Sequence, residues 1–147
     1  MKRYKIYGVF VLLLLTATAC GESGGAGVIG YNELVDTLRA EGATVEPVRQ
    51  IDQAFFSAPG QVISINGVEV QVFEYTDDLA RQAEEAGISA DGSSVGTSMI
   101  TWVEPPHFYS QGRLIVLYVG TESATLTLLE RVLGAPIAEG VSALPGY

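Results

Sequence analysis

The pattern of apolar and turn residues predicts an α+β domain. Its core is a mostly antiparallel sheet of about five strands, with about three helices packed mainly on one face. Three observations carry that reading. Asn66-Gly67 separates two alternating runs, Gln61 to Ile65 and Val68 to Phe73, and this dipeptide suits the tight turn that joins antiparallel strands. Three segments place apolar residues at helical spacing between start and stop signals. Leu114 to Val119 is apolar at every position, as expected of a central strand. Helices laid on an antiparallel sheet are the economical way to bury such elements.

The elements follow in chain order. Asn32 is placed to cap a helix over Glu33 to Glu41, with Leu34, Val35 and Leu38 as its apolar stripe and Gly42 as its stop. Ala43 to Ile51 reads as a strand. Pro47 cannot donate to a ladder, so that strand belongs at an edge or bulges there. Pro59-Gly60 marks a turn after Phe55-Phe56. In the hairpin, Ile65 should pair with Val68 and Ile63 with Val70, on the same buried face as Val72. Ser64, Glu69 and Gln71 should face water. Asp77 or Thr76 caps a helix from Asp78 to Ala86, and Gly87 ends it. Ile88 to Gly96 reads as a loop and Met99 to Val103 as a strand paired with Leu114 to Val119. Thr121 or Ser123 caps a last helix with Leu126, Leu129, Val132 and Leu133 inward, closed by Gly134 and Pro136. Ala138 to Tyr147 shows no period. Ile115, Leu117 and Val119 face opposite to Leu114, Val116 and Tyr118. The second face of that strand is therefore covered, by the Phe55-Phe56 or Pro105-Pro106 segments, or left exposed for a partner.

The first nineteen residues do not belong to this domain. Lys2, Arg3 and Lys5 precede an apolar run from Ile6 to Leu15, followed by Thr16-Ala17-Thr18-Ala19 and Cys20. A basic start, a short apolar stretch and small residues before a processing point make a secretory signal. The apolar stretch is about 14 residues, short of the roughly 20 that a bilayer span needs. Ala17-Thr18-Ala19-Cys20 resembles the lipobox of bacterial lipoproteins. The resemblance implies cleavage before Cys20, a diacylglyceryl group on its thiol, and attachment to the cell membrane facing the extracytoplasmic side. Cys20 is the chain's only cysteine. An exported lone thiol has no internal partner, and lipidation would remove its reactivity. Two or three acyl chains anchor far more firmly than one.

The chain thus divides into a signal at 1–19, a glycine-rich tether at 20–30, and one globular domain at 31–147, long enough to bury a core without staples. Beyond the signal there is no lysine. Five arginines face all seventeen carboxylates, a balance of about −12. Such a surface repels phosphate backbones and anionic headgroups, which excludes nucleic acid as a partner. The mature chain also looks like small bacterial lipoproteins through Leu38 to Glu46, Val72 to Tyr75 and Gly112 to Gly120. That group has no activity to carry over.

Few residues suggest chemistry. Gly92-Ser93-Ser94-Val95-Gly96 matches G-x-S-x-G, but a nucleophile elbow needs a strand before the serine and a helix after it, and here the order is reversed. His107 is the only histidine, so neither a transition-metal site nor a serine–histidine set has support, and no cofactor is expected. Asp77-Asp78 opens a helix, where carboxylates suit the dipole. The densest motif is Trp102 with Pro105, Pro106, His107, Phe108 and Tyr109. Aromatic rings beside two prolines make a rigid contact surface for an envelope protein, unless the same rings pack the hairpin onto the core. The expectation is a non-enzymatic, lipid-anchored contact domain. The alternative is a carrier or sensor of an apolar small molecule held between sheet and helices.

Overall fold

A computed structural model describes residues 30–141, so the signal, Cys20, all of the tether but Gly30, and the end of the tail lie outside the described residues. The element order is α1 (Tyr31–Ala40), β1 (Val45–Ile51), β2 (Gly60–Ile65), β3 (Val68–Glu74), α2 (Asp78–Glu85), β4 (Ser94–Val95), β5 (Ser98–Met99), β6 (Pro106–Gln111), β7 (Leu114–Val119), α3 (Ser123–Leu133) and β8 (Ala138–Glu139). Among the described residues, six strands form one sheet in the order β1-β2-β3-β7-β6-β8, every neighbouring pair antiparallel. β4 and β5 make a separate two-stranded ribbon. The domain is α+β, with one strand more in its sheet than expected. Among the described residues, no helix is long and apolar enough to cross a membrane.

The hairpin forms as its sequence requires. Asn66 and Gly67 both adopt positive φ, at 51° and 89°, and Ile65 pairs with Val68, Ile63 with Val70. Side chains alternate across the sheet. Ile63, Ile65, Val70, Val72, Leu114, Val116 and Tyr118 therefore share a first face, where they meet Leu34 and Leu38 of α1 and Leu129 and Leu133 of α3. Phe73, Phe108, Ile115 and Leu117 share the second face, where Phe56, Val95 and Ala138 cover them. β7 lies between β3 and β6 and is buried on both sides. Phe55-Phe56 supplies part of the second cover, as anticipated, together with Ile88, Ile100 and Trp102. The hairpin's second face is not wholly wet, because Val62 and Phe73 are buried there.

Helix boundaries moved at their caps. α1 starts two residues earlier than expected, with Gly30 at the N-cap and no side-chain cap bond, so Asn32 lies inside the helix. Asp77 caps α2 as read, its carboxylate accepting from the Ala80 N–H at 2.8 Å. α3 is capped by Glu122, between the two residues expected to do it. Its carboxylate accepts from the Ala124 and Thr125 N–H groups, and these bonds hold it below the usual carboxylate range.

The main correction lies between residues 96 and 111. Met99 to Val103 does not form the partner of β7; only Ser98 and Met99 are in a strand, and it is the small ribbon. The partner of β7 is Pro106 to Gln111, with Phe108 opposite Leu117 and Tyr109 opposite Val116. Val103 and Glu104 are turned to solvent, and Trp102 bonds through its indole to a loop carbonyl instead of joining a ladder. Both sheet edges are interrupted, though not covered along their length. On β1 the register shifts between Pro47 and Arg49, and the Arg39 guanidinium donates to the Val45 carbonyl at 2.9 Å. On the other side β8 pairs with His107 and Phe108 of β6.

Candidate functional site

The aromatic segment runs into the centre of the molecule. Phe108 and Tyr109 are fully buried and Pro106 and His107 are buried, while Trp102 and Pro105 are half-buried. Alternation sends Phe108 to the second face and Tyr109 to the first. Phe108 packs edge-on against Trp102, with centroids 5.9 Å apart, and against Phe56 at 6.4 Å. The Trp102 indole N–H donates to the Gly92 carbonyl at 2.7 Å. Gly92 has φ of +65°, and a Cβ there would lie 2.8 Å from the Phe108 ring. Only glycine lets this loop lie so close over the ring. Of the residues expected to form a contact surface, Pro106, His107, Phe108 and Tyr109 are therefore buried in the fold, and only Trp102 and Pro105 keep part of their surface exposed. A strand whose residues are apolar on both faces resembles a sticky exposed motif when read one residue at a time.

His107 sits at the first-face corner between β6, β7 and β8. Its Nε2 is 3.1 Å from the Gly120 carbonyl oxygen, and its Nδ1 is 3.4 Å from a Glu139 carboxylate oxygen. The ring lies nearly parallel to Tyr118, at 6.0 Å and 21°. The Tyr118 hydroxyl in turn accepts from the Glu122 N–H at 3.0 Å. His107 thus ties β8 and the β7–α3 connection to the sheet. Beside it the Tyr109 hydroxyl is buried without a hydrogen-bond partner among the described residues. Burial, with the nearby charges of Glu130 and Glu139 and with Tyr118, pushes the Tyr109 phenol up to about 12.

The G-x-S-x-G loop lies over the second face, so the sheet stands between Ser94 and His107. The loop organises itself around Asp91. One carboxylate oxygen accepts from the Ser93 N–H at 3.0 Å, the Ser93 hydroxyl at 2.8 Å and the Ser89 hydroxyl at 2.7 Å. Those bonds hold Asp91 down at about 2. The Ser94 N–H donates to Ser89 Oγ at 2.9 Å. The serines of the motif fold the loop that carries Gly92 onto Phe108. Among the described residues there is no group of three or more His, Cys, Asp or Glu able to hold a metal ion.

α2 crosses the second face and buries none of its residues completely. Polar bonds fasten it. Arg81 donates to the Gly112 carbonyl at 3.0 Å and pairs with Glu85, which also accepts from the Ser110 hydroxyl at 3.0 Å. Glu84 accepts from the Ser57 N–H at 2.9 Å, tying the helix to the loop before β2. At that junction a cleft of about 260 Å³ opens between α2 and the loop. Tyr75 lies on its lining, 5 % exposed, and its hydroxyl is buried with no hydrogen-bond partner among the described residues. In the sequence Tyr75 stands out only as the end of the Val72 to Tyr75 stretch. The signal was there: alternation carries Phe73 to Tyr75 on one face, and the Asp77 cap places a helix above them. The remaining arginines are engaged as well, Arg49 with Glu69, Arg113 with Glu74 and Arg131 with Glu41.

No protein-family model matches this chain, and neither a curated protein nor a solved structure matches it.

Proposed function

We propose that the chain is an extracytoplasmic lipoprotein, anchored to the cell membrane through acyl groups on Cys20, whose domain is a non-enzymatic module contacting another envelope protein. The observation that carries the anchoring is the chain's only cysteine, set directly after Ala17-Thr18-Ala19 at the end of a basic and then apolar segment. The contact reading is supported by how the domain uses its polar groups. The single histidine is spent on Gly120 and Glu139, and each arginine from Arg39 onward holds an acceptor within the fold. What remains at the surface is carboxylate-rich, with exposed apolar side chains at Met99 and Val103 on the segment that leads into β6. A basic partner suits that surface. The contact moves from the buried rings to the exposed stretch beside them.

Two measurements test this. The intact mass of the protein from native membranes should show cleavage before residue 20 and added acyl chains; an unmodified Cys20 thiol would end the lipoprotein reading. A variant carrying Met99→Asp and Val103→Asp should keep its melting temperature and lose the partner that wild type captures from those membranes. Equal capture by both proteins removes this stretch from the contact.

A further inference from the structure

We infer that the cleft between α2 and the segment leading into β8 is a binding site for a small neutral molecule carrying a carboxamide on an apolar body, with the Arg81–Glu85 pair reading the amide. This inference does not rest on membrane anchoring or on a protein partner.

The cleft has a volume of about 520 Å³, inside the range of small-molecule sites, roughly 300–1,000 Å³. α2 lines it with Arg81, Gln82, Glu85 and Ala86, and Ile88 and Ile137 add apolar surface. The charged groups reach the cleft themselves: the side chains of Arg81 and Glu85 keep 12 % and 30 % of their surface exposed. Their placement is unusual for a helix laid on a sheet. They stand one turn apart, on the side of α2 that meets Ser110 and Gly112 at the β6–β7 turn. A largely desolvated ion pair holds a fold no better than apolar residues of the same size would. The pair at this position therefore points to recognition.

The hydrogen bonds leave a donor and an acceptor side by side. Arg81 Nε donates to the Gly112 carbonyl at 3.0 Å, and Nη1 donates to Glu85 Oε2 and to Ser110 Oγ. Glu85 Oε2 also accepts from the Ser110 hydroxyl at 3.0 Å. Among the described residues, Arg81 Nη2 and Glu85 Oε1 hold no hydrogen bond. A carboxamide is the complement, with its carbonyl for Nη2 and its N–H for Oε1. Net charge on the ligand is disfavoured in both senses. A carboxylate drawn to Arg81 meets Glu85, and a cation drawn to Glu85 meets Arg81. The apolar body lies against Ala86, Ile88 and Ile137. The bonds to Ser110 and Gly112 fix both charged groups before a ligand arrives, so little is lost in ordering them.

The test uses the full chain in lipid nanodiscs, with amide shifts read by NMR against four probes of one shape. Benzamide carries the amide, acetophenone the carbonyl alone, benzoate a negative charge and benzamidinium a positive one. Benzamide should move the amides of Glu85, Ile88 and Ile137 saturably at up to about 10 mM, the affinity range of a single-ring probe. The other three should bind at least about fivefold more weakly. Glu85→Gln keeps the shape and removes the charge, so Arg81 is left free for an anion. That variant should lose benzamide at least about fivefold and prefer benzoate, a reversal that a merely structural pair would not produce. Ala86→Leu, at an exposed position on the cleft, should keep the melting temperature and abolish benzamide binding, and it decides the matter if Glu85→Gln unfolds. The inference is overturned if benzamide moves no amide of the cleft, if benzoate or benzamidinium binds wild type as tightly, if folded Glu85→Gln keeps the wild-type order of probes, or if Ala86→Leu binds benzamide unchanged.

Discussion

Phe108→Ala is the change that decides whether the aromatic segment is internal. Phe108 is fully buried, opposite Leu117, with Trp102 and Phe56 edge-on against its ring and the Gly92 backbone lying over it. Removing a buried ring costs the transfer of its atoms plus the cavity that remains, about 3–5 kcal/mol. Collapse into this cavity is restricted. Trp102 is held by its indole bond to Gly92, and Gly92 is held by the Asp91 turn. The cost should therefore fall in the upper half of that range, about 4 kcal/mol. For a domain of this size that is a loss of roughly 15 °C in melting temperature. It is also a large part of the 5–15 kcal/mol by which domains are stable. Equilibrium urea unfolding measures it, followed by far-ultraviolet dichroism and by the fluorescence of Trp102, the only tryptophan. Trp102 emission should shift to the red in the folded variant as its packing loosens. Val103→Ala, at an exposed position in the same segment, should change stability by less than about 0.5 kcal/mol. A loss below about 1 kcal/mol for Phe108→Ala, with unchanged emission, would refute the placement of β6.

Gly67→Val should destabilise by about 1–3 kcal/mol through backbone strain alone, since a Cβ at Gly67 meets nothing within 4 Å, whereas Ser64→Thr should cost less than about 0.5 kcal/mol; denaturant melts of the two compare them. Asp91 is more acidic in the folded protein than an ordinary aspartate near 3.9, so its contribution is present above that value and lost as pH falls toward about 2; Asp91→Asn should flatten the stability profile in that window, read by melts between pH 2 and 5. Tyr109 is raised from about 10 to about 12, so stability falls as pH climbs through that interval; absorbance at 295 nm should show Tyr75 and Tyr109 ionising only with alkaline unfolding, and Tyr109→Phe should reduce the amplitude of that step.

Elements whose cause is local were readable from the chain. The Asn66-Gly67 turn dictates its own φ angles, and with them the register of twelve neighbouring residues. Asp77 declares α2, and the six apolar residues of β7 declare a central strand. β6 was not readable, because its cause is distant. Pro105, Pro106 and His107 interrupt any period, and the segment becomes a strand only because β7 pairs with one side of it and β8 with the other. Ala138-Glu139 had no signal for the same reason. The wetness of the hairpin's second face was misjudged at Val62 and Phe73, since nothing near them announces that Phe56 returns to cover that face. The Tyr75 cleft needs the Ser57 loop, α2 and the end of β3 together, three segments that meet only in the folded chain.

β7 has a consequence for the chain before it folds. Leu-Ile-Val-Leu-Tyr-Val at 114–119 has high β-propensity, no charge, no proline and no glycine, which is the composition that stacks into amyloid-like ladders. In the native sheet its two neighbours and two packed faces leave nothing to add to. Its flanks restrain it as well. Gly112-Arg113 precedes it, Gly120 follows it, and Glu122 stands two residues further on, the small and charged residues that limit growth of a ladder. Removing the charge at Arg113 should therefore raise aggregation of the unfolded chain far more than the loss of one surface ion pair would lower the stability of the folded one.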